Sequence, residues 1–247
     1  MSDLRACHLK MLLCSIICAG SAKAQSQLND SLNNSLFTSY PVGLYFTEIG
    51  ENAHIYNGYE YFTPDRSFRG TPYYLSEAAA PSELSYDNNY YQNIPILYDQ
   101  VLDAVVVNRL GQNYKISLLS AKLSSFSLRS HQFMRLSHDS SQGAALVTGF
   151  YDKIYGGKSA IFVKRKKFVK ETLEYSAIIN EYKEVNTYYV FFQDKYVLVE
   201  GKNGVLKLFG SKKSEIKAFL RKNKLNYTSD FEKALISTAA FYDQPTS

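Results

Sequence analysis

Residues 71–107, TPYYLSEAAAPSELSYDNNYYQNIPILYDQVLDAVVV, carry the pattern from which the fold is read. Short β-rich runs, Tyr73–Leu75, Glu83–Tyr86, Ile94–Tyr98 and Ala104–Val107, alternate with turn chemistry at Ala80-Pro81, Asp87-Asn88-Asn89 and Asp99–Asp103. Proline lacks a ladder donor, and Asp and Asn bond their own backbone, so such clusters divide a chain into strands joined by tight turns. The stretch predicts an antiparallel meander. It carries architecture and no catalytic or cofactor signature.

Working outward, Leu44–Thr47 and His54–Phe62 precede it as strands. After it, Tyr114–Leu119 alternates apolar and polar residues, and Leu123–Leu128 and Gln132–Leu136 form a hairpin about Arg129-Ser130-His131. Beyond a loop at Asp139–Gly143, Ala145–Tyr155 and Ser159–Val169 face each other across Gly156-Gly157. The stretch Glu171–Lys183 fits strand and helix equally. Val185–Phe192 and Tyr196–Val199 read as strands, with turns at Gln193-Asp194-Lys195 and Lys202-Asn203-Gly204.

The period then changes. Ile216, Phe219 and Leu220 fall at helical spacing within Ser211–Lys222, and Phe231, Ala234, Leu235, Thr238, Ala239 and Tyr242 make one stripe within Asp230–Asp243. Ser229 with Glu232 has the spacing of a capping box. The expected fold is mainly β: one or more antiparallel meander sheets over residues 41–210, closed by an α-helical hairpin over 211–243 that packs on the β domain.

The start of the chain reads as an export signal. Arg5 and Lys10 precede an apolar run from Met11 to Gly20, and Ala22-Lys23-Ala24 has the form of a cleavage site. Residues 1–24 are expected to be a signal peptide and 25–40, rich in Ser and Asn, a flexible arm. The three cysteines, Cys7, Cys14 and Cys18, all lie in that leader, so the mature domain is expected to rely on its core rather than on disulfides. No later segment is long and apolar enough to be a transmembrane helix. The expected location is the periplasm or the outer membrane, where nucleic acid is not an expected partner.

Charge is unevenly distributed. Residues 25–100 hold nine acidic and two basic side chains, whereas 101–247 hold thirteen acidic and twenty-three basic. The basic run Lys164, Arg165, Lys166 and Lys167 is a candidate site for an anionic envelope glycan or an acidic envelope protein. The alternative is that lysines on an exposed strand deter edge-to-edge pairing. The 21 tyrosines, with no tryptophan, are the other unusual feature, and Tyr73, Tyr74, Tyr90 and Tyr91 are candidate contact residues. Their alternative role is to fill and flank strands.

Catalytic signatures are few. Tyr155-Gly156-Gly157-Lys158-Ser159 ends like a phosphate loop, but Asp152 stands where the first glycine is needed and a strand follows. There is no G-x-S-x-G and no H-E-x-x-H; His54, His131 and His138 are dispersed and read as surface or turn residues. No catalytic residue, metal set or cofactor is assigned. Hydrolysis needs only two facing carboxylates, for which Asp99 and Asp103 are the best placed.

The meander and the closing LFGSKKSEIKAFLRKNKLNYTSDFEKALISTAAFYD together resemble segments of exported envelope proteins of unknown function from Bacteroidota-type bacteria. The resemblance implies an envelope protein and no reaction. The expectation is an exported, non-enzymatic binding or accessory module; the alternative is a hydrolase of envelope glycan or polymer acting through carboxylates.

Overall fold

The structure, a computed structural model, describes residues 54–65, 67–109, 111–138 and 146–244. The expected signal peptide, the arm, the strand Leu44–Thr47 and the loop Asp139–Gly143 lie outside the described residues. Among those described, eleven strands form one antiparallel sheet: β1 (Gly58–Tyr61), β2 (Ala80–Tyr86), β3 (Asn89–Asp99), β4 (Ala104–Asn108), β5 (Lys115–Leu118), β6 (Leu123–Leu128), β7 (His131–Leu136), β8 (Gly149–Gly156), β9 (Ala160–Glu174), β10 (Ala177–Phe192) and β11 (Lys195–Val199). Three helices follow: α1 (Gly201–Leu208), α2 (Lys213–Lys222) and α3 (Phe231–Asp243).

The spatial order is β1-β5-β4-β3-β2-β6-β7-β8-β9-β10-β11. Two meanders, β2 to β5 and β6 to β11, are therefore joined side by side through β2 and β6. Residues 119–122 must connect β5 to β6 past the ends of β4, β3 and β2. Flat strands at about 4.8 Å spacing would put these two about 19 Å apart, beyond the reach of so short a link. The sheet must curl. Ring contacts bear this out: Tyr98 of β3 lies 6.2 Å from Phe150 of β8 and 5.3 Å from Phe126 of β6, and Phe126 stacks on Phe133 of β7 at 4.8 Å. Aromatics from distant strands thus fill the inside of the curl, each gaining contact area and edge-to-face attraction.

Within the meander the structure departs from the sequence reading at two places. Tyr73 makes only an isolated bridge to Asp99, so Tyr73–Leu75 is not a strand. Ala80-Pro81 opens β2 instead of turning, and Pro81 stands opposite Pro95, where neither residue has an N–H to leave unpaired. A bulge between Ser82 and Leu84 follows. His54–Phe62 is likewise a 3-10 turn, His54–Tyr56, leading into the shorter β1, whose Gly58 sits against the backbone carbonyl of Ser117 with no room for a side chain.

The ambiguous Glu171–Lys183 stretch is strand throughout, turning at Tyr175-Ser176, where φ is 47° and 66°. Both left-handed values mark the hairpin turn whose twist matches its strands. A hairpin does join β8 and β9 as expected, but Gly156 is the last residue of β8, opposite Ala160, and the connection is Gly157–Ser159.

The helical end begins earlier than predicted. Lys202-Asn203-Gly204 lies inside α1, because Val205, Leu206 and then Phe209 are buried on one side, and that burial outweighs the turn preference of Asn-Gly. The cap of α3 is Asp230, whose carboxylate accepts from the Lys233 N–H at 3.0 Å; Ser229 instead donates to the Asn226 carbonyl. Val205, Leu206, Phe209, Ile216, Leu220, Ala234, Leu235 and Ala239 share one buried cluster with Ile161, Val190 and Val199.

Candidate functional site

A strand sends successive side chains to opposite faces, so a run of four basic residues on β9 has to divide. Arg165 and Lys167 take one face. Arg165 is buried, donating from Nε to Asp152 Oδ2 at 2.7 Å and from one terminal nitrogen to Glu232 Oε1 at 3.0 Å. Lys167 donates to the backbone carbonyls of Thr71 and Tyr73 at 3.0 and 2.7 Å. Lys164 and Lys166 take the other face, where Lys164 bonds Asp103 Oδ2 at 2.6 Å and Lys166 is exposed. Three of the four candidate cations are therefore turned inward, each to a specific acceptor.

The tyrosines divide in the same way. Tyr73, Tyr74 and Tyr91 are buried, and Tyr90 is exposed. The Tyr73 and Tyr61 hydroxyls lie 3.1 Å apart, and Tyr74 packs edge-on to His131 and Phe133 with the Arg165 guanidinium over its ring. These three fill the fold and do not join Tyr90 in a common surface.

Two polar constellations result. The first centres on Asp152, fully buried, which His131 Nδ1 meets at 2.8 Å beside Arg165. Glu232 of α3 accepts from Arg165 and from the Tyr188 hydroxyl at 3.2 Å. Burial works against the Arg165 charge, but the bonds to Glu232 and Asp152 outweigh it and raise its pKa above the ordinary arginine value. His131 is thus part of a polar network that links β7, β8, β9 and α3, not the surface or turn residue expected.

The second constellation surrounds a cavity of about 370 Å³, within the range of small-ligand sites. Val101, Val147, Phe168 and Val185 supply apolar walls. At its polar end Asp103 accepts from the Tyr98 hydroxyl at 2.6 Å and from Lys164, which also donates to the Phe150 carbonyl at 3.1 Å. Burial lowers the Lys164 pKa, and Asp103 opposes that shift.

Gln100 lines the same cavity and is 1% exposed. Its backbone is satisfied: the N–H donates to the Pro72 carbonyl at 3.0 Å, and the carbonyl accepts from Lys167 N–H at 3.1 Å. Its side-chain amide is not. Among the described residues neither Nε2 nor Oε1 has a hydrogen-bond partner, and both are buried, an arrangement that costs free energy. A larger hollow of 640 Å³ near Lys195 and Gly204 contains no such group.

Asp99 and Asp103 do not form a facing acid pair with free oxygens. Asp99 is buried; its Oδ1 accepts from the Val101 and Leu102 N–H groups at 2.8 and 2.9 Å, and Oδ2 from the Tyr61 hydroxyl at 2.7 Å. Asp103 is held by Tyr98 and Lys164. Among the described residues, no group of three or more His, Cys, Asp or Glu side chains is arranged to hold a metal ion.

Sequence reasoning missed Gln100, for which no local signal exists, because its significance comes from what fails to meet it. The inward turn of Arg165 was accessible, since strand alternation alone separates it from Lys164 and Lys166. The chain matches no protein-family model, no curated protein and no solved structure.

Proposed function

We propose that the protein is an exported component of the cell envelope, periplasmic or associated with the outer membrane, that works as a non-enzymatic binding or accessory module. Its ligand site is the cavity beside Gln100. The observation that carries this reading is a cavity of ligand size with apolar walls from Val101, Val147, Phe168 and Val185 and the Lys164–Asp103 pair at one end. Lys166 on the exposed side of that cavity and the Lys164–Asp103 pair at its polar end suit an envelope protein or glycan with an acidic group. The leader-like start of the chain and the resemblance to exported envelope proteins support the location. Within this module α2 and α3 are the hairpin that closes the sheet, a reading supported by the apolar cluster they share with Ile161, Val190 and Val199. The hydrolase alternative has less support, because the oxygens of Asp99 and Asp103 already accept from neighbouring groups.

The test uses the full chain in intact cells with a photo-crosslinking residue at Val185, on the cavity wall, or at exposed Tyr59 on β1. An envelope component captured from Val185 and not from Tyr59 is the expected result. Equal capture from both positions, or recovery of the protein in the cytosol, would overturn the proposal.

A further inference from the structure

Among the described residues, the β9–β10 hairpin leaves one stretch of sheet edge without a partner strand. Its two-residue turn, Tyr175-Ser176, closes on the pair Glu174 and Ala177, so even-numbered residues of β9 exchange backbone bonds with β10 and odd-numbered residues direct theirs to the other side. Lys167 follows this parity: its N–H leaves β10 and meets the Gln100 carbonyl at 3.1 Å. The next outward residues are Val169, Glu171 and Leu173. Among the described residues nothing pairs with them, although β10 on the far side is bridged by Arg69, which bonds the Asn180 carbonyl at 2.8 Å and the Tyr182 N–H at 3.0 Å. Val169 and Leu173 are exposed, Leu173 to 73%.

We infer that this edge takes an extended peptide segment of another envelope protein as an added strand, with one end of it at the Gln100 cavity. The inference rests on the binding-module reading above. Outward N–H and C=O groups at every second residue of an exposed edge form a ready template for pairing with a second extended chain. The Gln100 backbone already occupies the first position of that line, at Lys167, so a strand paired with Val169, Glu171 and Leu173 would run in line with it and end at the mouth of the cavity.

That end also has suitable chemistry. Phe168 and Val185 accept an apolar side chain there, while Lys166 and Lys170 lie on the same face of β9 and favour an acidic neighbour. A second copy of this chain is the poorer occupant. The antiparallel register that uses all three outward residues would put Glu171 opposite Glu171 of the other copy, a like-charge pair.

The parity supplies the experiment. Glu171→Pro removes one outward N–H and no bond to β10, whereas Glu171→Ala keeps every backbone group. A displayed library of random heptapeptides is selected on the full chain, and the enriched peptides are measured against both variants by fluorescence anisotropy. Enriched peptides are expected to combine an apolar with an acidic residue, to bind Glu171→Pro about tenfold more weakly than the parent chain, and to bind Glu171→Ala within about twofold. N-methylation of alternate peptide residues should abolish binding in one phase and spare it in the other. Equal binding to Glu171→Pro, or no enrichment over selection on that variant, overturns the inference, as does a dimer in sedimentation that Glu171→Pro dissolves. Retained capture at Val185 in Glu171→Pro cells would then show the cavity reading standing without the edge.

Discussion

Arg165 Nε lies 2.7 Å from Asp152 Oδ2, with both side chains buried between the sheet and α3. Neither charge has water to fall back on, so each depends on the other. Replacing Arg165 with Met leaves Asp152 buried with His131 as its remaining partner and should destabilise the fold by about 3–5 kcal/mol. Arg165→Met combined with Asp152→Leu should recover a large part of that. Urea unfolding of the two variants checks both statements; a single-variant loss below about 1 kcal/mol would mean that the pair is not holding the sheet to α3.

Alkaline pH should unfold the protein earlier than its core size suggests. Burial, helped by the Glu232 carboxylate, pushes the Tyr188 pKa up to about 12. Burial also raises Tyr61, Tyr74, Tyr98 and Tyr151 above the usual 10.0. Above that pH the unfolded chain loses phenolic protons that the folded chain keeps, so stability falls as pH rises through the folded values. Lys164 and Lys167, lowered by burial, act in the opposite direction below 10.5, but they are two groups against five. The expected urea midpoint declines above pH 10, and phenolate absorbance should appear together with unfolding. Phenolate appearing at an ordinary pKa in still-folded protein would contradict this.

The β9–β10 turn is built from residues poorly suited to it. Ser176 holds φ at 66°, where a side chain is disfavoured and glycine is not. Ser176→Gly should stabilise the hairpin by about 0.5–1 kcal/mol, and Ser176→Val should weaken it by a similar amount. Amide exchange at Glu174 and Ala177 is the readout, slower in the first variant and faster in the second.

Phe209, fully buried at the end of α1, touches the rings of Phe192 and Tyr242 at 5.7 and 4.8 Å. Truncating it to Ala should remove about 3–5 kcal/mol by opening a cavity where α1, β10 and α3 meet. Phe209→Leu should lose less than half as much, since it keeps most of the volume. A near-silent Phe209→Ala in thermal unfolding would show that α1 is not part of the cooperative core.

Some local features were legible because they have short-range physical causes. Asp87-Asn88 and Gln193-Asp194 turn where polar residues tolerate positive φ, and Leu123–Leu128 is a strand with the bounds its alternation implies. The errors fall where burial overrules a local signal. Asn203-Gly204 was read as a turn and is helical because Val205 and Leu206 needed a place in the core; the Lys164–Lys167 run was read as a surface although the strand beneath it has two occupied faces.

By itself the sequence determined the antiparallel, mainly β character of the described chain and the helical period of its last stretch, since turn chemistry and side-chain periodicity act over a few residues. Tertiary structure alone decided that β6 returns beside β2, that the sheet curls, that Arg165 meets Asp152 and Glu232, and that Gln100 lines a cavity with its amide unpaired. Each of those depends on which distant residues exclude water together. That selection is made over the whole chain at once, and no single segment records it.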